Sequence, residues 1–230
     1  MNNQSNLADS LKHVLEDVAQ TAVDSGRRAE DVKLIAVSKT LPSDIVRHAY
    51  DAGHRAFGEN RVQELEAKAS VLPGDCEWHM IGHLQRNKVK VALQYAALIH
   101  SIDSRRLLNR LEKIAAQRGQ QVPILLQTNV AGEDSKYGVS PEDTRQLLED
   151  TISSSHIDCR GLMTMAPYGA AATELHRIFG ELRELRNQLA DQFDTALPEL
   201  SMGMSSDYKI AIMEGATMVR VGTAIFGSRH

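Results

Sequence analysis

Lys33-Leu34-Ile35-Ala36-Val37-Ser38 (KLIAVS) is a short apolar run of strand type, and the residues on its C-terminal side decide the fold. Lys39-Thr40 interrupts the run, Ser43 offers an N-cap for a helix reaching Asp51, Gly53 closes that helix, and Arg55–Phe57 is a second strand-type run. Successive parallel strands need a crossover helix of this kind. The same grammar repeats downstream. Strand-type runs recur at Glu77–Ile81, Ala97–Ser101, Pro123–Asn129, Asp158–Met163, Glu199–Met202 and Met218–Val221. Helical patterns separate them near residues 60–70, 86–94, 104–118, 141–153, 172–192 and 206–214. Upstream, Leu7, Leu11, Val14, Leu15, Val18 and Ala22 fall at helical spacing, and Gly26 supplies a stop. Eight strands with seven intervening helices, behind one extra N-terminal helix, predict an α/β fold: a single (β/α)8 TIM-barrel domain over residues 1–230. An open doubly wound sheet is the alternative. No GxGxxG follows the first strand to favour it, and no low-complexity linker divides the chain.

Composition agrees with that reading. A chain of 230 residues fits one barrel, since such domains run to roughly 200–250 residues. Lys plus Arg number 26 against 30 Asp plus Glu, a net charge of −4, so no basic excess exists to drive nucleic-acid or anionic-membrane binding. Aromatic residues are only 4% of the chain, which makes the core aliphatic. Cys76 and Cys159 stand far apart without metal-ligand spacing, which argues against a disulfide framework or a zinc site. The polar N-terminus lacks a secretory pattern and no run is long and apolar enough for a membrane span, so a cytoplasmic protein is expected.

In a barrel of this type chemistry sits where strands end and the succeeding loops begin. The first strand ends at Ser38-Lys39-Thr40, and Lys39 shares parity with Ile35 and Val37. If that face is the interior, desolvation lowers the pKa of the ammonium and makes it nucleophilic; otherwise Lys39 is a surface lysine at a strand end. Ser201–Asp207 and Arg220–Gly227 follow the last two strands and are rich in small residues, the place where many barrels hold a phosphate on backbone N–H groups. Arg220 alternates with Val219 and Val221, so it is expected to face inward, toward either an anion or an internal carboxylate such as Glu59 or Asp207. A reactive lysine together with a phosphate cradle points to a phosphorylated aldehyde, and pyridoxal phosphate (PLP) is the cofactor that needs both.

The motifs also resemble a family. Ala36-Val37-Ser38-Lys39-Thr40, Gly58-Glu59-Asn60-Arg61, His79-Met80-Ile81-Gly82-His83-Leu84-Gln85 with Asn87-Lys88, Ser101-Ile102-Asp103-Ser104 and the two closing segments are similar to those of the pyridoxal phosphate homeostasis proteins. That family resembles the N-terminal barrel of alanine racemase, the fold type III barrel for PLP. The resemblance implies that Lys39 holds the cofactor as a Schiff base, and that Ser205, Ser206, Gly222 and Thr223 bind its phosphate. It implies further that Arg220 faces the pyridine nitrogen, that Asn60 lies near the ring, and that Met204 and His83 line the pocket. Implied partners are pyridoxal phosphate, PLP-dependent apoenzymes and enzymes of vitamin B6 metabolism. Alanine racemases carry a second, β-rich domain that delivers a catalytic tyrosine. This chain reaches His230 directly after the barrel, so neither that domain nor the familiar dimer contact is expected, and a monomer is preferred. A guanidinium at the pyridine nitrogen disfavours its protonation and leaves the ring a weak electron sink.

Three functions stay open on these grounds: a PLP-binding protein with little catalysis, a small PLP-dependent amino-acid racemase, and an unrelated Schiff-base aldolase. Lys136, in the polar loop Asn129–Gly138, is a second candidate Schiff-base lysine or a rim cation. His79 and His83 have i,i+4 spacing, but His79 falls in a strand-type run, so a metal site is not expected.

Overall fold

The computed structural model describes residues 2–132 and 137–227, with side chains from Asn6 onward. Eight parallel strands run in chain order: β1 (Lys33–Val37), β2 (Ala56–Glu59), β3 (Glu77–Met80), β4 (Leu98–Ile102), β5 (Val122–Gln127), β6 (Ile157–Met163), β7 (Glu199–Ser201) and β8 (Met218–Val221). β1 pairs with both β2 and β8, so the sheet is a closed barrel and the open-sheet alternative is excluded. The crossovers are α2 (Ser43–Asp51), α3 (Val62–Ala69), α4 (Val89–Tyr95), α5 (Arg105–Arg118), α6 (Pro141–Ile152), α7 (Ala172–Phe193) and α8 (Tyr208–Met213). Helix α1 (Asn2–Asp24) precedes them, and a short α9 (Thr223–Phe226) comes after β8.

Strand parity divides the core in two. Leu34, Ala36, Phe57, Trp78, Met80, Leu200, Val219 and Val221 face outward into the layer shared with the helices. Ile35, Ala56, Leu98, Leu125, Met163 and Met218 form a smaller cluster inside the barrel. The interior is not wholly apolar: His79, His100, Ser201 and Arg220 are also buried there. Helix α1 buries Leu7, Leu11, Val14, Val18 and Ala22 along one stripe and packs on α2, α8 and α9, where the barrel closes on itself. Arg27 fastens its far end, with Nη1 and Nη2 donating to the carbonyls of Ala216 and Ile212 at 2.8 and 2.9 Å.

Three local expectations need correcting. Pro42, not Ser43, is the N-cap of α2: its ring holds φ at −70° in an extended conformation, and Ser43 becomes the first helical residue. The helix expected over 206–214 begins only at Tyr208, because the Asp207 carboxylate accepts from the Met204 amide at 2.6 Å and draws 204–207 into a turn. The segment near 86–94 divides into a 3-10 turn, Arg86–Lys88, and then α4.

Candidate functional site

The barrel register sets the geometry at the C-terminal rim. Ile35 stands opposite Arg220 and Ala36 opposite Val221, while Val37 stands opposite Gly58. Lys39, Asn60 and Gly222 therefore leave three adjacent strands on the same rim. Ile35 lies in the interior cluster, as the parity argument for Lys39 requires, and the Lys39 side chain is half-buried. Lys136 lies outside the described residues.

The chain around Lys39 is held firmly on its outer side. Ser38 Oγ donates to Glu59 Oε1 at 2.6 Å, and Lys68 Nζ reaches both that oxygen at 2.6 Å and the Ser38 carbonyl at 2.7 Å. All three residues are buried, and burial raises the Glu59 carboxyl above its ordinary value against the opposing pull of Lys68 and Ser38. Thr40, at φ 62°, takes a left-handed conformation rare for a β-branched residue, and its amide donates to Glu64 Oε2 at 2.5 Å. Lys39 sits between two anchored neighbours.

Asn60 is half-buried beside Gly82. A Cβ on Gly82 would overlap the Asn60 carbonyl oxygen, so only glycine allows the ends of β2 and β3 to approach this closely. His83 is found at the exposed rim, where it is stacked on Tyr137 at 4.6 Å and 3.1 Å from Asp103. His79 is buried inside the barrel, so the two histidines do not share a face.

After β7 and β8 the two small-residue turns meet. Ser205 Oγ accepts from the Gly222 amide at 3.1 Å and the Ala224 amide at 3.5 Å, so these backbone donors converge on one oxygen. Ser206 and Thr223 are exposed beside it, and Met204 is half-buried. Converging amides at a turn suit an anion.

Arg220 is buried, yet neither expected internal carboxylate pairs with it. Glu59 is taken by Lys68, and Asp207 is bonded to the Met204 amide and to Ser206. Instead Arg220 Nη1 donates to Ser201 Oγ at 2.5 Å and Nη2 to the Thr164 carbonyl at 2.8 Å. Burial pushes the guanidinium down to about 10, which leaves it charged at neutral pH. The donor set thus fits a phosphorylated pyridine aldehyde: an amine at the rim, converging amides, and a buried cation with no carboxylate in ion-pair contact among the described residues.

Comparison with known proteins agrees with this geometry. The profile of the family described as "Alanine racemase, N-terminal domain" matches residues 8–230. A "Pyridoxal phosphate homeostasis protein" of Aquifex aeolicus is 42% identical over 225 residues, covering 97% of this chain and 99% of its own. One of the same name from Pseudomonas aeruginosa is 40% identical, covering 98% and 96%. The chain belongs to the pyridoxal phosphate homeostasis protein family. Among solved structures, PipY from Synechococcus elongatus, described with PLP bound, is 41% identical. It superposes with a TM-score of 0.80, covering 91% of this chain and all of its own.

The sequence reading missed the Ser38–Glu59–Lys68 cluster and the polar interior around His100, and it quoted Gly82 within a motif without giving it a role. Gly82 carried a signal, a lone glycine directly after a strand-type run. His100 carried none, since its partner Ser201 is 101 positions away.

Proposed function

We propose that this protein binds pyridoxal 5′-phosphate, carrying it as a Schiff base on Lys39, and takes part in intracellular homeostasis of that cofactor with little or no turnover of its own. The observation that carries the reading is Arg220: a buried guanidinium inside a PLP-family barrel, on the strand paired with the one that leads to Lys39, with neither Glu59 nor Asp207 in ion-pair contact with it. When bound, PLP supplies an electrophilic carbonyl and an electron-accepting ring. The chain's own residues do the rest. Lys39 offers the amine, and its anchored neighbours fix where that amine emerges. The amides of Gly222 and Ala224, with Ser205, Ser206 and Thr223, take the phosphate. Asn60 would lie near the ring, Met204 and His83 would line the pocket, and Arg220 would face the pyridine nitrogen as a donor, opposing its protonation. Residues 1–230 act as one cytoplasmic, monomeric PLP-binding domain, and its partners are PLP-dependent apoenzymes or B6-metabolising enzymes.

The test is the absorption spectrum of the purified protein mixed with PLP, before and after borohydride reduction, with peptide mass mapping of the reduced product. A near-violet band that disappears on reduction, with the pyridoxyl group on Lys39, is the expected result. No band, or label mainly on Lys136, overturns the assignment.

A further inference from the structure

A single line of hydrogen bonds crosses the barrel interior from Arg220 to the opposite mouth. Arg220 Nη1 lies 2.5 Å from Ser201 Oγ, Ser201 Oγ 2.8 Å from His100 Nδ1, and His100 Nε2 2.9 Å from His79 Nδ1. His79 Nε2 is 3.1 Å from Glu77 Oε1, and Lys33 Nζ donates to both Glu77 oxygens at 2.6 and 2.9 Å. The members come from β8, β7, β4, β3 and β1, and every side chain between Arg220 and Glu77 is fully buried.

The ends of this line dictate its polarity. The hydrogen bond from His79, reinforced by Lys33, holds the Glu77 carboxyl down to about 2, so it is an ionised, pure acceptor and His79 Nε2 must carry a proton. Burial pushes both imidazoles below their ordinary value, His100 furthest, with neighbouring His79 and Arg220 adding to the shift. A neutral His79 then has a bare Nδ1, so His100 Nε2 donates to it. The bare Nδ1 of His100 in turn requires the Ser201 hydroxyl proton. Arg220 has no acceptor and can only donate into the Ser201 oxygen. Every N–H and O–H therefore points from Arg220 toward Glu77, and each dipole turns its negative end to the guanidinium. Aligned bonds in a low-dielectric interior polarise one another in the same sense.

We propose that Glu77, paired with Lys33, acts on Arg220 at a distance, and that Ser201, His100 and His79 are positioning residues that transmit its pull and fix the guanidinium in place. The proposal rests on the reading that Arg220 faces the bound cofactor. Lys33 and Glu77 keep side-chain exposures of 43% and 37%, so this charged end of the line stays hydrated where a carboxylate in contact with Arg220 would be desolvated. It lies at the N-terminal mouth, where a cavity of about 540 Å³ opens beside Lys33, Glu199 and Thr217. The other charged groups facing the line are Glu199 and Lys33 at that mouth and Asp207 near Arg220. No proton has to move along it; the effect is one of fixed dipoles.

Two measurements decide the matter. Long-range proton–nitrogen spectra of histidine-labelled, PLP-free protein should show His79 and His100 as neutral Nε2–H tautomers from about pH 5.5 to about pH 8.5, across the ordinary histidine range. An Nδ1–H tautomer or an imidazolium at either residue overturns the proposal, whatever the cofactor does. In PLP-loaded protein, Glu77→Gln keeps the acceptor for His79 but removes the charge. It should move the alkaline midpoint of the near-violet band to lower pH by about half a unit, because the more positive interior disfavours the protonated, absorbing form. Lys33→Met, which leaves Glu77 uncompensated, should move it the other way and serves if Glu77→Gln does not fold. Unchanged midpoints in the folded variants overturn the coupling. If the unmodified protein develops no band at all, the reading of the site fails, and the histidine spectra still decide the line.

Discussion

Glu59 shows how much of this site is held by one buried charge pair. Its Oε1 is shared by Lys68 and Ser38, while its buried Oε2 has no hydrogen-bond partner among the described residues. Lys68→Met would leave that carboxylate uncompensated, and the expected loss is about 3–5 kcal/mol of unfolding free energy by urea titration. The double variant Lys68→Met/Glu59→Leu should recover most of the loss, since an apolar pair of similar size avoids the desolvation cost. A double variant as unstable as the single one would mean that the Ser38 contacts, and not the charge, dominate. Glu77 gives a pH prediction. Its folded pKa of about 2 lies below the ordinary 4.5, chiefly through the hydrogen bond from His79. Its contribution to stability is therefore complete above about 4.5 and lost as pH falls toward 2. Urea unfolding at stepped pH should show that acid limb, and Glu77→Gln should flatten it.

The elements that matter most are the strand ends. β2 and β3 come together through Gly82, and Gly82→Ala forces a Cβ onto the Asn60 backbone. The expected cost is about 1–3 kcal/mol of stability, as for other overpacking substitutions, together with weaker PLP binding because Asn60 is displaced. Equilibrium dialysis against PLP beside a urea titration separates the two effects. At the other closing turn, Gly222→Val places a branched side chain beside converging amides, whereas Ser206→Ala removes one exposed hydroxyl. The first should lower PLP affinity clearly more than the second, for which about 0.5–1.5 kcal/mol is the ordinary range of one hydrogen bond. Equal affinity of the unmodified protein for pyridoxal and pyridoxal phosphate would show that the turns bind no phosphate. Much of this was legible beforehand. The turns after β7 and β8 announce themselves by small residues, and Lys39 by its place at the end of a KLIAV strand. Helix starts were less legible at Ser43 and Ser206, where Pro42 and the Asp207 carboxylate decided the local geometry.

As a whole, the molecule joins a racemase-type barrel to a buried cation, Arg220, which on the proposed reading faces the pyridine nitrogen. Racemisation needs the ring to accept electrons, and a guanidinium there disfavours the protonation that would make it a strong acceptor. The expected outcome with each of several L-amino acids is negligible conversion to the D-form, read by chiral chromatography. Turnover at about 1 s⁻¹ or faster would instead establish an enzyme.

The linear pattern of residues was enough for the order of eight strands and seven crossover helices, the inward parity of Arg220, and the candidate lysine and phosphate turns. These depend on periodicity and on residue types adjacent in the chain, which is the information such a pattern carries. Closure into a barrel was expected from the eight repeated units, whereas the strand register that completes it and the identity of Arg220's partners emerged only in three dimensions. Hydrogen bonding between side chains depends on proximity in space. His100 and Ser201 lie 101 positions apart, and no local pattern marks either as the other's partner. Glu59 was available to Arg220 on paper. In the folded barrel it points away from the interior into the buried ammonium of Lys68, and Arg220 is bonded instead to Ser201 and the Thr164 carbonyl.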